Sequence, residues 1–163
     1  MLIDLDVLVA DFSDAAARAA VDGWPCPIGT ERLPAPHLQP TLRTNYGAVY
    51  AFALSREAGR RAPAGAGTVL KVGEVSPTSA ARFSSQHYNP GSAGSSLAKS
   101  LIRYRILWSW LGVDHLDETS VKAWMLANLE RAHFYVPGDR PTVRAELETY
   151  VRARIGSVFE GAA

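Results

Sequence analysis

Apolar residues form two runs of strand length in the middle of the chain. The runs 47–54 (GAVYAFAL) and 68–75 (TVLKVGEV) are rich in β-branched and aromatic residues, and the polar, Gly- and Pro-bearing segment 55–67 separates them. This pattern predicts two antiparallel strands joined by an enlarged hairpin tip. A third, shorter strand is predicted at 133–136 (HFYV), directly before a Pro-Gly-Asp turn.

Helical periodicity dominates the second half of the chain. Apolar residues recur every three or four positions over 97–111 and 119–131, which predicts two amphipathic helices. A last helix is predicted over 141–155, because Pro141 suits a first helical turn and Gly156 a C-terminal stop. The residues expected to be buried in the first two helices are Leu97, Leu101, Tyr104, Trp108, Leu111, Val121, Trp124, Met125 and Leu129.

A short helix and a polar loop are predicted between the hairpin and these helices. Thr78 or Ser79 can cap a helix that carries Arg82. The segment 84–96 (SSQHYNPGSAGSS) is rich in small polar residues, whose hydroxyl and backbone N–H groups suit phosphate contacts. A plain flexible loop is the alternative interpretation.

The N-terminal part predicts a strand, a helix and an extended arm. The partly alternating run 2–9 predicts an edge strand, and the Ala-rich stretch 14–22, between Ser13 and Gly23, predicts a short helix. Five prolines over 24–45 exclude a helix or a central strand there and predict an extended connector that wraps the core.

Length and composition indicate one soluble α+β domain. The 163 residues suit a single compact domain, in which 1–44 packs on a core unit of 45–163. The expected architecture is a small central antiparallel sheet of about three strands, flanked by helices. No apolar stretch approaches the roughly 20 residues of a membrane span. The acidic N-terminus argues against a signal peptide, and the single Cys26 favours a reducing, cytoplasmic location.

Positive charge is concentrated in the middle of the chain. Residues 41–110 hold nine Lys and Arg against two Glu, a net charge of +7, whereas 1–40 carry −4 and 111–163 carry −2. Such a distribution favours an anionic partner, with nucleic acid as the candidate. The alternative is that the fold disperses the asymmetry.

Residues able to hydrolyse a phosphodiester occur along this basic segment. The reaction must deprotonate a water, neutralise the phosphate charge and stabilise the leaving oxygen. Tyr50 and Lys71 lie on adjacent predicted strands, and a register that aligns them would let the lysine lower the pKa of the phenol. Gly73, on the same strand face as Lys71, would let a ligand approach the backbone.

Each of these residues also has a purely structural explanation. Tyr50 suits a cross-strand aromatic pair, and Lys71 suits the solubilising charge of an edge strand. Glu148 has arginines four residues before and after it, as in an exposed salt-bridge ladder. It is a better candidate ligand than Glu146, because it adjoins the apolar stripe of the last predicted helix.

Taken in order, these residues resemble the motifs of the GIY-YIG nuclease superfamily. Ala48-Val49-Tyr50 is similar to the first motif and Lys71-Val72-Gly73 to the second. Arg82 and His87 are similar to the arginine and histidine that follow. Glu148 corresponds to the metal-binding glutamate of the C-terminal helix.

The resemblance spans about 45–161 and has three departures. Lys71 replaces a tyrosine of the second motif. The two motif residues Tyr50 and Lys71 lie 21 positions apart, which is long for the family. Glu160 stands where many members have asparagine.

The resemblance implies a metal-dependent DNA endonuclease. Glu148 would hold Mg²⁺ or Mn²⁺, Tyr50 would act as general base tuned by His87 or Lys71, and Arg82 would stabilise the scissile phosphate. The expected products carry a 5′-phosphate and a 3′-hydroxyl. The arginines expected to contact the nucleic-acid backbone are Arg56, Arg60, Arg61, Arg103 and Arg105.

Two other functions are compatible with the same sequence. Lys71 and Glu160 suit a nucleic-acid-binding module with weak or no cleavage. Trp108, Trp110 and Trp124 suit an interaction subunit, for which an exposed Trp110 would be the sign. The expected partner is DNA, with RNA or single-stranded DNA as alternatives, and a homodimer or partner protein would supply targeting. Restriction, phage defence, repair and mobile-element movement all fit.

Overall fold

An antiparallel sheet of four strands forms the centre of an α+β fold in the computed structural model, which describes residues 4–160. The strands are β1 (Gly29–Leu33), β2 (Tyr46–Leu54), β3 (Val69–Val75) and β4 (Leu129–Pro137). Their order across the sheet is β1-β4-β2-β3, so that β1 and β3 are the edges. The α-helices are α1 (Leu5–Arg18), α2 (Arg56–Arg60), α3 (Ala80–Ser84), α4 (Leu97–Arg103), α5 (Val121–Asn128) and α6 (Pro141–Ile155).

The predicted hairpin is confirmed as β2 and β3. Tyr50 pairs with Gly73 and Phe52 with Lys71, and the register shifts between Phe52 and Ala53. The short helix α2 fills part of the hairpin tip and is capped by the Ser55 hydroxyl.

The edge strand β1 corrects the expectation of about three strands, because no strand is predicted in the proline-bearing arm. β4 pairs with β2 over nine residues and with β1 over five, whereas only 133–136 is predicted as strand. The predicted helix 119–131 therefore stops at Asn128. A strand buried on both faces loses the alternation of apolar and polar residues by which strands are recognised. The proline-bearing arm contributes only the edge strand β1.

The N-terminal segment is a helix, not the predicted edge strand over 2–9 followed by a helix over 14–22. The Asp4 carboxylate caps α1 by accepting from the Val7 N–H at 3.1 Å, and Ser13 lies inside the helix. Residues 2 and 3 lie outside the described part. The buried positions Leu5, Leu8, Phe12 and Ala16 follow helical spacing.

The helix predicted over 97–111 is shorter than expected. α4 ends at Arg103, and a 3₁₀ turn over Arg105–Leu107 follows it. Tyr104, expected in the core, is 44% exposed. The helix α6, by contrast, has the predicted bounds, and α3 follows Ser79 as predicted.

Helices cover both faces of the sheet. α1 and α6 pack on the face that carries Val49 and Phe134, and α3, α4 and α5 cover the face of Tyr50 and Phe52. The three tryptophans lie partly buried against the second of these cores, so the exposed Trp110 that would indicate an interface is not observed. Among residues 4–160, every helix is too short or too polar to cross a membrane.

Candidate active site

The five predicted site residues converge on β3, at the edge of the sheet. Tyr50 comes from β2, Lys71 from β3, Arg82 from α3, His87 from the 3₁₀ turn after it, and Glu148 from α6. Tyr50 and His87 are hydrogen-bonded. The positive charge of Arg82 lowers the pKa values of Tyr50, Lys71 and His87, and the Glu148 carboxylate raises the pKa of Tyr50.

Gly73 makes room for the Tyr50 phenol. It lies opposite Tyr50 in the strand register, and a Cβ at this position would sit 2.5 Å from the tyrosine hydroxyl oxygen. The glycine therefore admits a side chain of the protein itself, rather than the ligand backbone expected from sequence. Lys71 stands opposite Phe52, one pair further along the same face.

A defined histidine tautomer contacts the phenol. His87 Nε2 lies 2.5 Å from the Tyr50 hydroxyl oxygen, and His87 Nδ1 accepts a hydrogen bond from the Leu97 N–H at 3.3 Å. Burial lowers the pKa of His87 to about 2, so the ring is neutral. With Nδ1 accepting, Nε2 carries the proton and donates to Tyr50. This leaves the phenol proton available to another acceptor.

Opposing influences act on the pKa of Tyr50. Burial has the largest effect and raises it, against the expectation that a lysine neighbour lowers it. The positive charges of Arg82 and Arg131 oppose burial, and Arg82 also acts as a hydrogen-bond donor, whereas Glu148 raises the pKa. The phenolate is thus costly to form, and the arginines are the groups that favour it.

Lys71 is a buried cation close to His87, whose pKa its charge helps to lower. Its ammonium donates to Ser95 Oγ at 3.3 Å, and its side chain makes no carboxylate contact within residues 4–160. Burial lowers its pKa, and Arg82 and then Arg152 lower it further. Arg152 is paired with Glu148, but Lys71 and Arg82 have no carboxylate partner among residues 4–160. Two such cations favour an anionic ligand close to them.

Glu148 is held at the sheet edge by an arginine. Arg152 Nη2 donates to Glu148 Oε1 at 2.5 Å and to the Val72 carbonyl oxygen of β3 at 3.2 Å. Of the two arginines that could pair with Glu148 in an exposed salt-bridge ladder, only Arg152 does so, because Arg144 pairs with Glu74.

The second oxygen of Glu148 suits a metal that keeps most of its waters. It accepts no hydrogen bond from residues 4–160, and within the same range no cluster of three acidic, His or Cys side chains could enclose a metal. Mg²⁺ often binds through one carboxylate, waters and a substrate phosphate oxygen. The donor set at Glu148 fits that kind of site.

Arg131 is a site residue that sequence reasoning missed. Its buried guanidinium donates to the Phe83 carbonyl at 2.9 Å and the Tyr88 hydroxyl at 3.1 Å, and lies 5.6 Å from the Tyr50 ring centroid. It has no acidic partner among the described residues. The strand predicted at 133–136 begins at Leu129 in the structure, where it is β4. With that longer strand, the sequence would have placed Arg131 opposite Phe52, on the same face of the sheet.

The five arginines proposed to contact nucleic acid are all exposed and fall into separate groups. Arg61 and Arg105 line one open depression beside Trp108, although Arg61 also pairs with Glu57. Arg103 lines a different cleft, adjacent to Ser95. The others are Arg56 and Arg60 on α2.

No protein-family model, curated protein or solved structure matches this chain. The GIY-YIG resemblance therefore rests on the motif residues alone.

Proposed function

We propose that the protein is a metal-dependent endonuclease that hydrolyses phosphodiester bonds in DNA, with a GIY-YIG-like site. One observation carries the proposal. The Tyr50 phenol of β2 is close enough to the Arg82 guanidinium of α3 and the Glu148 carboxylate of α6 for both charges to change its pKa. Lys71 adds a buried cation beside them.

In this proposal Tyr50 is the general base. Its oxygen accepts a hydrogen bond from neutral His87, which favours the phenolate over the phenol. The charges of Arg82 and Arg131 act in the same direction. The phenolate then removes a proton from the attacking water.

Arg82 binds the scissile phosphate, and Glu148 holds Mg²⁺ or Mn²⁺. A guanidinium beside the phosphate stabilises the additional negative charge of the transition state. A metal ion, when bound, neutralises phosphate charge and stabilises the leaving oxygen. Arg152 orients the Glu148 carboxylate through its contact with the Val72 carbonyl.

The exposed arginines supply affinity for the nucleic-acid backbone. Phosphate contacts position the substrate but do not select a sequence. DNA is the proposed partner, with RNA and single-stranded DNA as alternatives. We place targeting in a homodimer or a partner protein, and a cytoplasmic role in restriction or phage defence fits this arrangement.

A binding module without cleavage is the second candidate. The observation that favours it is the ion pair between Glu148 and Arg152, because a metal must compete with a guanidinium already bound to the carboxylate. Under this alternative the cations around Lys71 bind phosphate but no hydrolysis follows.

Metal-dependent nicking tests the proposal. Supercoiled plasmid and labelled oligonucleotides are incubated with the protein in Mg²⁺, in Mn²⁺ and in EDTA. The proposal predicts cleavage in either metal, none in EDTA, and products with a 5′-phosphate and a 3′-hydroxyl. Salt-dependent binding without cleavage in any condition would favour the binding module, and metal-independent cleavage would contradict the role of Glu148.

A further inference from the structure

A cleft of about 570 Å³ opens beside the candidate active site. It lies between the segment 95–107 and residues 158–160, and its volume is in the range of pockets that hold small ligands. Its main polar and aromatic lining residues are Ser95, Lys99, Arg103, Tyr104, Phe159 and Glu160.

Ser95 connects this cleft to the active-site cluster. Its hydroxyl oxygen accepts from the Lys71 ammonium at 3.3 Å, and the same residue lines the cleft. If the scissile phosphate of a nucleic-acid strand binds among Lys71, Arg82 and Glu148, the neighbouring nucleotide of that strand is therefore within reach of the cleft.

Tyr104 offers an aromatic surface at the cleft wall. Its ring packs against Phe159, with 5.7 Å between centroids and 30° between the planes, yet the residue is 44% exposed. An exposed aromatic ring beside basic residues is the combination that binds unpaired nucleotides, because bases stack on the ring and cations contact the phosphates.

The two basic residues of the cleft have different contacts. Lys99 donates to the carbonyl oxygens of Ser92 at 2.9 Å and Gly94 at 2.7 Å, which holds the loop that leads to Ser95. Arg103 is exposed and has no carboxylate partner within residues 4–160, and its guanidinium carbon lies 5.5 Å from the Tyr104 centroid. Arg103 is therefore the residue available to a phosphate.

We propose that this cleft binds one unpaired nucleotide next to the scissile phosphate, with its base on Tyr104 and its phosphate on Arg103. The inference rests on the proposed nuclease function and specifies its substrate class. A paired base would first have to leave the duplex stack. The preferred substrate is therefore single-stranded, or carries a flap or bubble at the cleavage site.

Binding in EDTA tests the inference without cleavage. A labelled single-stranded oligonucleotide and the matching duplex are titrated with wild-type protein and with Tyr104→Ala, Tyr104→Leu and Tyr104→Phe. The alanine and leucine variants should bind the single strand about tenfold more weakly, from lost base stacking, and the duplex almost unchanged. Tyr104→Phe should bind like wild type. Leu38→Ala, an exposed apolar position in the N-terminal arm outside the cleft, is the matched control.

The outcomes separate this inference from the nuclease proposal. The leucine variant retains an apolar contact with Phe159, so a loss in both Tyr104→Ala and Tyr104→Leu reports stacking rather than folding. Equal affinity of Tyr104→Leu and wild type, or an equal loss on duplex and single strand, would overturn the cleft assignment while wild-type cleavage still supports the nuclease. A wild-type protein that binds neither nucleic acid would overturn both.

Discussion

At the scale of single residues, the account depends on the ionisation of Tyr50. The sequence placed a tyrosine, a lysine, an arginine and a glutamate in a family-like order, and the fold brings these residues together. Their electrostatic relationship could not be predicted, because it depends on strand register and on Arg131, which lies on a strand recognised only in part. Lys71 was expected to lower the pKa of the phenol, but burial outweighs the neighbouring cations and raises it.

The raised pKa of Tyr50 predicts a cleavage rate that increases with pH. Below the pKa of the phenol, the phenolate fraction grows about tenfold per pH unit, so the logarithm of the single-turnover rate should rise with a slope near one at saturating metal. Tyr50→Phe should reduce the rate by about 10²–10⁴-fold and remove this slope. A wild-type rate that is flat between neutral and alkaline pH, or a fully active Tyr50→Phe variant, would contradict the assignment.

The buried histidines predict sensitivity to acid. Burial holds the pKa of His87 at about 2 and that of His133 at about 3. Below pH about 6.5, the ordinary histidine pKa, the unfolded chain binds protons that the folded chain excludes. The free energy of unfolding should therefore fall as the pH falls, by about 1.4 kcal/mol per pH unit for each histidine.

Urea unfolding at several pH values between 7 and 4 measures this loss. His87→Gln keeps a donor for the Tyr50 oxygen but cannot titrate, so its free energy of unfolding should fall less steeply with decreasing pH than that of the wild type; His133 and His37, whose pKa values burial also lowers, continue to contribute. Identical pH dependence of the wild type and the variant would show that His87 is not held neutral.

At the scale of elements, the β2–β3 hairpin and α6 could be predicted because their signals are local. The hairpin has apolar runs around a turn-rich tip, and α6 has Pro141 and Gly156 at its ends. The bounds of β4 could not be predicted, because helices bury both faces of this central strand and the alternation of apolar and polar residues is lost. The first part of α1 was predicted as a strand because Asp4 and Asp6 imitate the alternation of polar and apolar residues, although Asp4 is the helix cap.

Gly73→Ala should displace Tyr50 from the position that β3 gives it. The added methyl group would lie 2.5 Å from the hydroxyl oxygen and 2.8 Å from Cζ of Tyr50, so the ring must move away from β3 and its contact with His87 must change. We expect a loss of about 1–3 kcal/mol in the free energy of unfolding, as for other overpacked sites. The cleavage rate of the folded protein should fall by about 10²-fold, as for a small misplacement of a catalytic group.

Gly91→Ala is the control for this substitution. Its methyl group would meet only the Asn89 side-chain oxygen, at 3.2 Å, in an exposed loop. Chemical denaturation and single-turnover cleavage of both variants check the prediction. A Gly73→Ala protein with wild-type activity would show that the phenol need not occupy its observed position.

At the scale of the whole molecule, positive charge is concentrated in the middle of the chain and negative charge towards both ends. The net charge of +7 over 41–110 includes Lys71 and Arg82 of the site and the exposed arginines of α2 and α4, whereas Arg131 and Arg152 lie outside this segment. The sequence revealed this asymmetry, but the separation of the exposed arginines into different surface groups depends on the fold, including the end of α4 at Arg103 and the turn that follows. The first 44 residues meet the rest of the chain through β1, which pairs with β4, and α1, which packs on α6.

The basic surface predicts DNA binding that weakens with salt. The logarithm of the binding constant should fall linearly with the logarithm of the salt concentration, because phosphate contacts release counterions. Arg60→Gln should reduce the slope by about one if the arginine contacts a phosphate. Lys122→Gln, an exposed change on α5, should leave the slope unaltered. If wild type and Arg60→Gln show the same salt dependence of the binding constant in EDTA, Arg60 does not contact a DNA phosphate.

The central claim is that Glu148 serves hydrolysis rather than the stability of α6. The most direct test is the single-turnover cleavage rate of wild type, Glu148→Gln and Glu146→Gln in Mg²⁺, with equal binding of DNA verified in EDTA. Glu146 is an exposed carboxylate on the same helix and provides the matched control. The account predicts that Glu146→Gln cleaves like wild type, whereas Glu148→Gln binds DNA but loses cleavage. Wild-type cleavage by Glu148→Gln would contradict it.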